Sequence, residues 1–340
     1  PPNLSLSLLA FELSNGRYDL NVMSKENPYL ASNKREIPDC IPCPTEDDRK
    51  PGNPGSFEDL HKKVKDLYPQ NFEGARLRIN KVLSSHFDVM HTITLSSVTP
   101  SGYKFGASYI GTKAVGFQEK YPIVKGDIIP NGNMTANFVH TLGCRFRFKL
   151  STQVANFKYK ASSSSIEYRS NDYTLALTLA NPKFLKQQGI LVLHFLQAIT
   201  SRITLGAEVA CLRNSKISGG QQTLMCVAFR YNTGPATWSA TLGEAGLHIC
   251  YYRRASKQLQ LGVEIETNMR IQESVATIVY QINIPYADLI FKGIVNSESS
   301  IGCVFEKKLY PIPESSLIIS GHLNHLNQQF RVGVGLDIGV

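Results

Sequence analysis

From about residue 75 to the C-terminal end, apolar and polar positions alternate with a period of two. In Arg145-Phe146-Arg147-Phe148-Lys149-Leu150 a cation follows every other position without a break. Across residues 258–266, Leu259, Leu261, Val263 and Ile265 make one face, while Gln258, Gln260, Glu264 and Glu266 make the other. Tyr103, Phe105, Ala107 and Tyr109 oppose Lys104, Gly106 and Ser108. Near the end, Phe330, Val332, Val334, Leu336 and Ile338 oppose Gln329, Arg331, Gly333, Gly335 and Asp337. Successive side chains on a strand point to opposite sides, so each segment reads as a strand with one apolar and one wet face. Turn signals such as Ser84-Ser85, Pro100-Ser101-Gly102, Pro130-Asn131-Gly132 and Ser218-Gly219-Gly220 separate them. The spacing predicts about nineteen strands of roughly 9–12 residues over 75–339. Proline cannot donate to a ladder, and Pro69, Pro100, Pro122, Pro130, Pro182, Pro235, Pro285, Pro311 and Pro313 are all assigned to gaps or strand ends.

Before the strands the period is helical. Phe57, Leu60, Val64 and Leu67 fall on one stripe among Glu58, Lys62, Lys63, Lys65 and Asp66. Ser56 is placed to cap the first turn with Asp59 three residues on, and Pro69 stops the run, which predicts a helix over 56–68. Three turns are too short to stand alone in water, so the stripe must dock on something. A surface helix bound to another subunit is the alternative to one packed on the sheet. Residues 1–55 hold eight of the 17 prolines among Asn, Ser, Asp and Lys without periodicity, and read as a disordered tail. The remainder, 56–340, is read as the helix followed by one strand array.

So many strands form a sandwich, a propeller or a barrel. The polar faces carry clusters of charge, such as Arg147 and Lys149 beside Arg145, or Glu264 with Glu266. These suit an enclosed aqueous space, although a soluble sandwich would alternate too. The strand length fits a tilted bilayer crossing, and Tyr103, Tyr109, Tyr168, Tyr173, Tyr286 and Phe330 are expected at strand ends in an interfacial girdle. The fold class expected is all-β: a transmembrane β-barrel of about 19 strands with one short N-terminal amphipathic helix in or near its lumen. Sixteen or more strands leave an aqueous channel. An odd count requires the first and last strands to pair in parallel.

Composition narrows the picture further. The longest interval free of Asp, Glu, Lys and Arg is 17 residues, 128–144, and includes Pro130 and three asparagines. No spanning helix is therefore expected, nor a signal peptide at Leu4–Phe11 without preceding basic residues. The net charge is +9, with −2 on residues 1–55 and +11 on the rest. Nucleic acid, anionic lipid and an anion-attracting pore all remain compatible with it. Seven scattered cysteines argue against a disulfide framework and for a reducing compartment.

The order of Pro-rich tail, Asn53-Pro54-Gly55-Ser56-Phe57-Glu58, one short helix and nineteen strands resembles the mitochondrial porin superfamily. Within it, the chain is most similar to the channel-forming subunits of the mitochondrial outer-membrane protein translocase. Asn80-Lys81, Phe105-Gly106, Tyr109-Ile110-Gly111-Thr112-Lys113, Gly189-Ile190-Leu191-Val192 and Phe291-Lys292-Gly293 carry the resemblance across residues 51–339. Arg331, Gly333, Leu336 and Ile338 fit the C-terminal sorting signal of mitochondrial barrels.

The resemblance implies a channel in the mitochondrial outer membrane that imports unfolded precursor proteins. By strand parity, Asp88, Glu208, Glu264, Glu266, Asp288 and Asp337 are the candidate presequence contacts, and Arg76, Arg78, Arg145, Arg147, Lys149 and Lys292 the candidate basic lumen. Phe57, Leu60, Val64 and Leu67 would dock the helix. Precursors, receptor and small single-span translocase subunits, the bilayer and further copies of the barrel are the implied partners, without nucleic acid. A voltage-dependent anion-type metabolite channel of the same fold is the alternative, and a soluble all-β binding module a third.

No catalytic constellation, cofactor motif or metal site is expected. Cys40-Ile41-Pro42-Cys43 has the spacing of half a zinc site but no second pair. His322 and His325, three apart on one predicted strand, would diverge. Gly333-Val334-Gly335-Leu336-Asp337-Ile338-Gly339 lacks the following helix that a dinucleotide turn requires, and Asn133-Met134-Thr135 is a sequon only by its letters.

Overall fold

The computed structural model describes residues 52–97, 101–115, 119–143, 145–183, 188–214, 220–244, 246–310 and 315–339. The tail assigned to 1–55, with Cys40 and Cys43, lies outside the described residues except for its last four positions. Nineteen strands follow: β1 (Gly74–Ser84), β2 (Phe87–Leu95), β3 (Gly102–Val115), β4 (Glu119–Ile129), β5 (Asn133–Leu142), β6 (Phe146–Ala155), β7 (Lys158–Arg169), β8 (Tyr173–Lys183), β9 (Gln188–Ala198) and β10 (Ile203–Arg213). The second half is β11 (Gln221–Asn232), β12 (Ala236–Gly243), β13 (Gly246–Arg254), β14 (Leu259–Asn268), β15 (Glu273–Ile284), β16 (Leu289–Asn296), β17 (Ser300–Lys308), β18 (Ser316–Asn324) and β19 (Gln329–Gly339).

Every strand pairs antiparallel with its sequence neighbour, and β1 also pairs with β19 in parallel, from Gly74 opposite Gly333 to Asn80 opposite Gly339. The sheet is therefore closed, with the parallel seam that an odd count demands. Closure leaves no free edge and satisfies the backbone within the sheet, which is what a strand structure in lipid needs.

Side-chain direction fixes which face meets lipid. On β14, Leu261 and Ile265 are 36% and 38% exposed on the outside, whereas Glu264 is buried on the inside. The same parity holds on β3, where Tyr103 and Tyr109 are exposed. On β19, Phe330, Val332 and Val334 are exposed in the same way. The outer surface is thus apolar and the inner one polar, the pattern of a membrane barrel. An outward row of rings crosses four strands: Phe146, Tyr168, Tyr173 and Phe195, with successive centroids 5.0, 6.0 and 6.1 Å apart. Tyr109 falls in the middle of the 14-residue β3 rather than at an end, because that strand runs longer than expected, and Tyr286 sits in a 3₁₀ turn, Pro285–Ala287.

Pro122 lies inside β4 rather than in a gap. The ladder accommodates it at an irregularity: Ile110 pairs with Ile123 and Lys113 with Tyr121, so Gly111 and Thr112 form an excursion on β3. His325 stands in the turn after β18 and His322 on the strand itself, so they do not share an element.

Candidate functional site

The segment ahead of β1 runs inside the barrel. Its helix is shorter and more broken than the 56–68 run expected from the stripe: a 3₁₀ turn at Phe57–Asp59, then one α-helical turn, α1 (Lys62–Lys65). Ser56 does not cap it through its side chain; the hydroxyl donates instead to the Glu167 carboxylate at 3.2 Å. The wall, not helix propensity, sets the course of this segment, because tertiary packing outweighs a few tenths of a kcal/mol per residue.

Leu60, Val64 and Leu67 are 3%, 2% and 2% exposed. Leu60 packs with Phe57 against Leu196 and Ala228, and Val64 and Leu67 against Cys250 and Val279. Each buried aliphatic side chain contributes about 1.5–3 kcal/mol, enough together to hold one turn of helix that could not persist alone. Small residues make room for the close approach. A Cβ on Gly262 would stand 3.1 Å from Val64 Cγ1 and 3.2 Å from Leu67 Cδ1.

Polar contacts extend this anchorage along the whole segment. Asn53 Nδ2 donates to the Ser170 carbonyl at 2.5 Å and Arg230 to the Pro54 carbonyl at 2.5 Å. Lys63 donates to Thr237 at 2.9 Å, and Lys292 to the Asp66 carbonyl at 2.9 Å. The Phe72 amide donates to Ser320 at 3.1 Å, and the Arg76 guanidinium lies 4.0 Å from the Phe72 ring centre. These contacts run from the β7–β8 turn to β18 and the β1–β19 seam. Tyr68 donates its hydroxyl to Glu264, and burial together with that carboxylate pushes the phenol well above its usual range. His61 is held at Nδ1 by Ser239 at 2.8 Å, and burial first, then His248 and Lys65, lowers its pKa to about 3.

The charged residues singled out from the sequence separate into three groups. Arg76, Arg78, Arg147, Lys149 and Lys292 stand on inward positions of β1, β6 and β16, as do Asp88, Glu208, Glu264, Glu266 and Asp337 on β2, β10, β14 and β19. Several are engaged. Arg78 meets Asp337 at 3.3 Å, His194 meets Glu208 at 3.3 Å, and Glu264 accepts from His248 at 2.5 Å. Glu266 is the more accessible member of its pair, its side chain 47% exposed against 5% for Glu264. Two assignments need correcting. Asp288 is not on a strand but ends the 3₁₀ turn before β16 in a left-handed conformation, so strand parity says nothing of it. Arg145 precedes β6, exposed in the turn, and its carbonyl accepts the Arg169 amide at 2.7 Å.

On β19, Arg331 and Gly333 point inward and Leu336 and Ile338 outward. Arg331 Nε lies 3.9 Å from Glu73, and a Cβ on Gly333 would collide with Phe72. The glycine leaves room for the inner segment where it turns into β1.

The site also holds residues that reading the sequence did not select. Glu167 is 2% exposed, with Lys149 at 2.5 Å and Arg169 at 3.3 Å; Lys149 also reaches Glu58 at 3.1 Å. Inward parity on β7 would have pointed to Glu167, yet nothing local distinguishes it. His61, His248 and Cys250 converge from positions nearly 190 residues apart in the chain.

Against known proteins, residues 53–333 match the eukaryotic porin family. The chain is 47% identical over 287 residues to the mitochondrial import receptor subunit TOM40 homolog 2 of Drosophila melanogaster, covering 84% of each. It is 42% identical over 287 residues to the TOM40 homologs of Homo sapiens and Caenorhabditis elegans, covering 84% of this chain and 78% and 95% of theirs. A closed nineteen-strand barrel with an apolar exterior and a segment stapled within its lumen, matched over most of its length, belongs to the eukaryotic porin family.

Proposed function

We propose that the chain is a protein-conducting channel of the mitochondrial outer membrane, through which unfolded precursor proteins are imported. The observation that carries this is the 42–47% identity to TOM40 homologs across 84% of the chain, on a barrel whose strand number encloses an aqueous passage. The inner segment sits to one side, against β6–β9 and β11–β19, so the cargo path runs beside it along the polar face of β2–β5.

Conduction demands contacts weak enough to release each stretch of chain. The engaged acids meet that demand: a carboxylate already bound to a histidine or arginine attracts a passing basic residue less than a bare one. Glu208, Glu264, Glu266 and Asp337 thus make a graded series in which Glu266 is the most approachable, and Asp88 on β2 is a further inward acid. Arg331, Gly333, Leu336 and Ile338 serve the sorting of the barrel to its membrane. Receptor subunits, small single-span subunits and further barrels assemble around the apolar exterior. The chain is a conduit and carries out no reaction.

The test is planar-bilayer recording of the reconstituted barrel. A basic amphipathic presequence peptide is expected to produce brief, voltage- and salt-dependent closures from the side it is added. If the peptide leaves the current unchanged while small anions pass selectively, the anion-channel alternative replaces this reading.

A further inference from the structure

Where α1 meets the wall, the donor atoms of His61, His248 and Cys250 all lie within 4.8 Å of one another. The three residues are 8%, 8% and 0% exposed. His248 Nε2 is the focus: Cys250 Sγ is at 3.2 Å, Glu264 Oε1 at 2.5 Å and Glu266 Oε1 at 3.6 Å. The His61 and His248 ring centres are 4.1 Å apart. The geometry follows from the sheet. Positions 248 and 250 share the inward face of β13, and Glu264 stands directly across the ladder from Cys250. His61 descends onto them as the residue that begins α1.

We propose that His61, His248, Cys250 and Glu264 form a site for a zinc-class divalent cation that ties the inner segment to β13 and β14.

Two imidazole nitrogens, a thiolate and a carboxylate are the donor types such an ion takes in closed tetrahedral sites. With bonds of about 2.0–2.3 Å, neighbouring donors of a tetrahedral site sit roughly 3.3–3.8 Å apart; His61, His248 and Cys250 are already close to that spacing, and the Glu264 carboxylate has to draw back from its 2.5 Å contact with His248 as an ion enters between them. Supporting hydrogen bonds are already present. Ser239 holds His61 Nδ1 at 2.8 Å, so Nε2 is the ligating nitrogen once it exchanges its 3.5 Å contact with the Thr241 hydroxyl for the ion, and Tyr68 donates to the Glu264 oxygen that does not face His248. Charge fits as well: Glu264, Glu266 and a Cys250 thiolate outweigh the neighbouring Lys65 by two, which a dication balances. On binding, the Cys250 thiol proton leaves to solvent and the His248 proton shifts from Nε2 to Nδ1, so that the ion forms one bond to sulfur, two to neutral imidazole nitrogens and one to the Glu264 carboxylate. The proposal is independent of what passes through the pore.

The test uses the full chain carrying Cys40→Ser and Cys43→Ser, which takes the remaining close cysteine pair out of play. The protein is refolded in detergent, stripped of metal, and titrated with Co²⁺ and then Zn²⁺. One equivalent of cobalt with a thiolate charge-transfer absorption, displaced by zinc, is expected. Cys250→Ser should abolish the charge-transfer absorption, and His61→Ala should weaken zinc binding by about 100-fold or more. His61 belongs to the inner segment and not to a strand, so its removal leaves the β circular dichroism intact, and the reading stands even if His248→Ala fails to fold. Failure to bind one equivalent, or a cobalt spectrum indifferent to both Cys250→Ser and His61→Ala, overturns the proposal.

Discussion

Ser56 gives its hydroxyl to Glu167, 111 positions away, instead of to the turn it begins. A capping residue has been diverted into an anchor on the wall, and the carboxylate that receives it is the most buried acid among the described residues. Glu167 simultaneously neutralises Lys149 and Arg169, and Lys149 links onward to Glu58 on the same segment. The start of the inner segment is therefore held by one network rather than by separate contacts.

That network predicts an asymmetric response to mutation. Glu167→Ala leaves Arg169 without its carboxylate and Lys149 with Glu58 alone, and breaking a buried pair in this way costs up to about 3–5 kcal/mol. Ser56→Ala removes the hydroxyl that donates to Glu167 and accepts a long contact from Arg169 but leaves the ion pairs standing, a loss of roughly 1.5–3 kcal/mol before water replaces it. Hydrogen exchange of residues 53–60 should rise in both variants and far more in Glu167→Ala, while the β-barrel signal persists. Equal protection in the two would show that the carboxylate is not the centre of the anchor.

The apolar stripe predicts a separable effect on the passage. Val64→Asp places a carboxylate against Cys250 and Val279, where burial without a partner is prohibitive, and the segment should leave the wall. Leu60→Ala should lose about 2–5 kcal/mol of docking and leave the segment only partly released. Single-channel recording of Val64→Asp is expected to show a noisier current with changed conductance, and Leu60→Ala an intermediate trace. An unaltered current in Val64→Asp would place the conducting path away from this segment.

Much of this architecture is visible in local sequence, and the reason is geometric. Alternation such as Leu259, Leu261, Val263 and Ile265 against Glu264 and Glu266 is written into neighbouring positions, and it fixes strand, face and orientation together. The parallel seam follows from counting. The helix break, the diversion of Ser56 and the meeting of His61 with His248 depend on contacts across the lumen, between positions more than a hundred apart. Pro122 reads from its own neighbours as a gap residue because a ladder excludes proline, whereas the excursion at Gly111 and Thr112 that accommodates it belongs to the neighbouring strand. Asp288 and Arg145 show the opposite limit: each stands one residue before its strand, where parity no longer fixes a direction.

Phe72 and Gly335 offer a test of the close approach at the seam. A Cβ on Gly335 would come 2.9 Å from Phe72 Cζ, so Gly335→Ala forces the ring from its place over Arg76. Overpacking of this kind costs about 1–3 kcal/mol. Phe72→Leu in the same chain should recover most of the loss, since a shorter side chain admits the methyl. Denaturant unfolding of the two single variants and the double variant in detergent measures the coupling, and additivity would mean the two residues do not meet.

Glu264 and Glu266, two residues apart on the same inward face of β14, should behave differently towards cargo because their surroundings differ. Glu264 is enclosed by His248 and Tyr68, so Glu264→Gln weakens the seat of α1 and changes the current before any peptide is added. Glu266 is open to the lumen, and Glu266→Gln should leave the unblocked current intact while shortening presequence-peptide closures. An accessible charge contact is worth roughly 0.2–1 kcal/mol, so the residence time should fall by about 1.5–5-fold at low ionic strength. Salt should erase the difference between wild type and Glu266→Gln, as it screens exposed charges over distances of about 8–10 Å. A variant whose closures match wild type at every salt concentration would remove Glu266 from the cargo path and shift the search to Asp88, on the face that the inner segment leaves open.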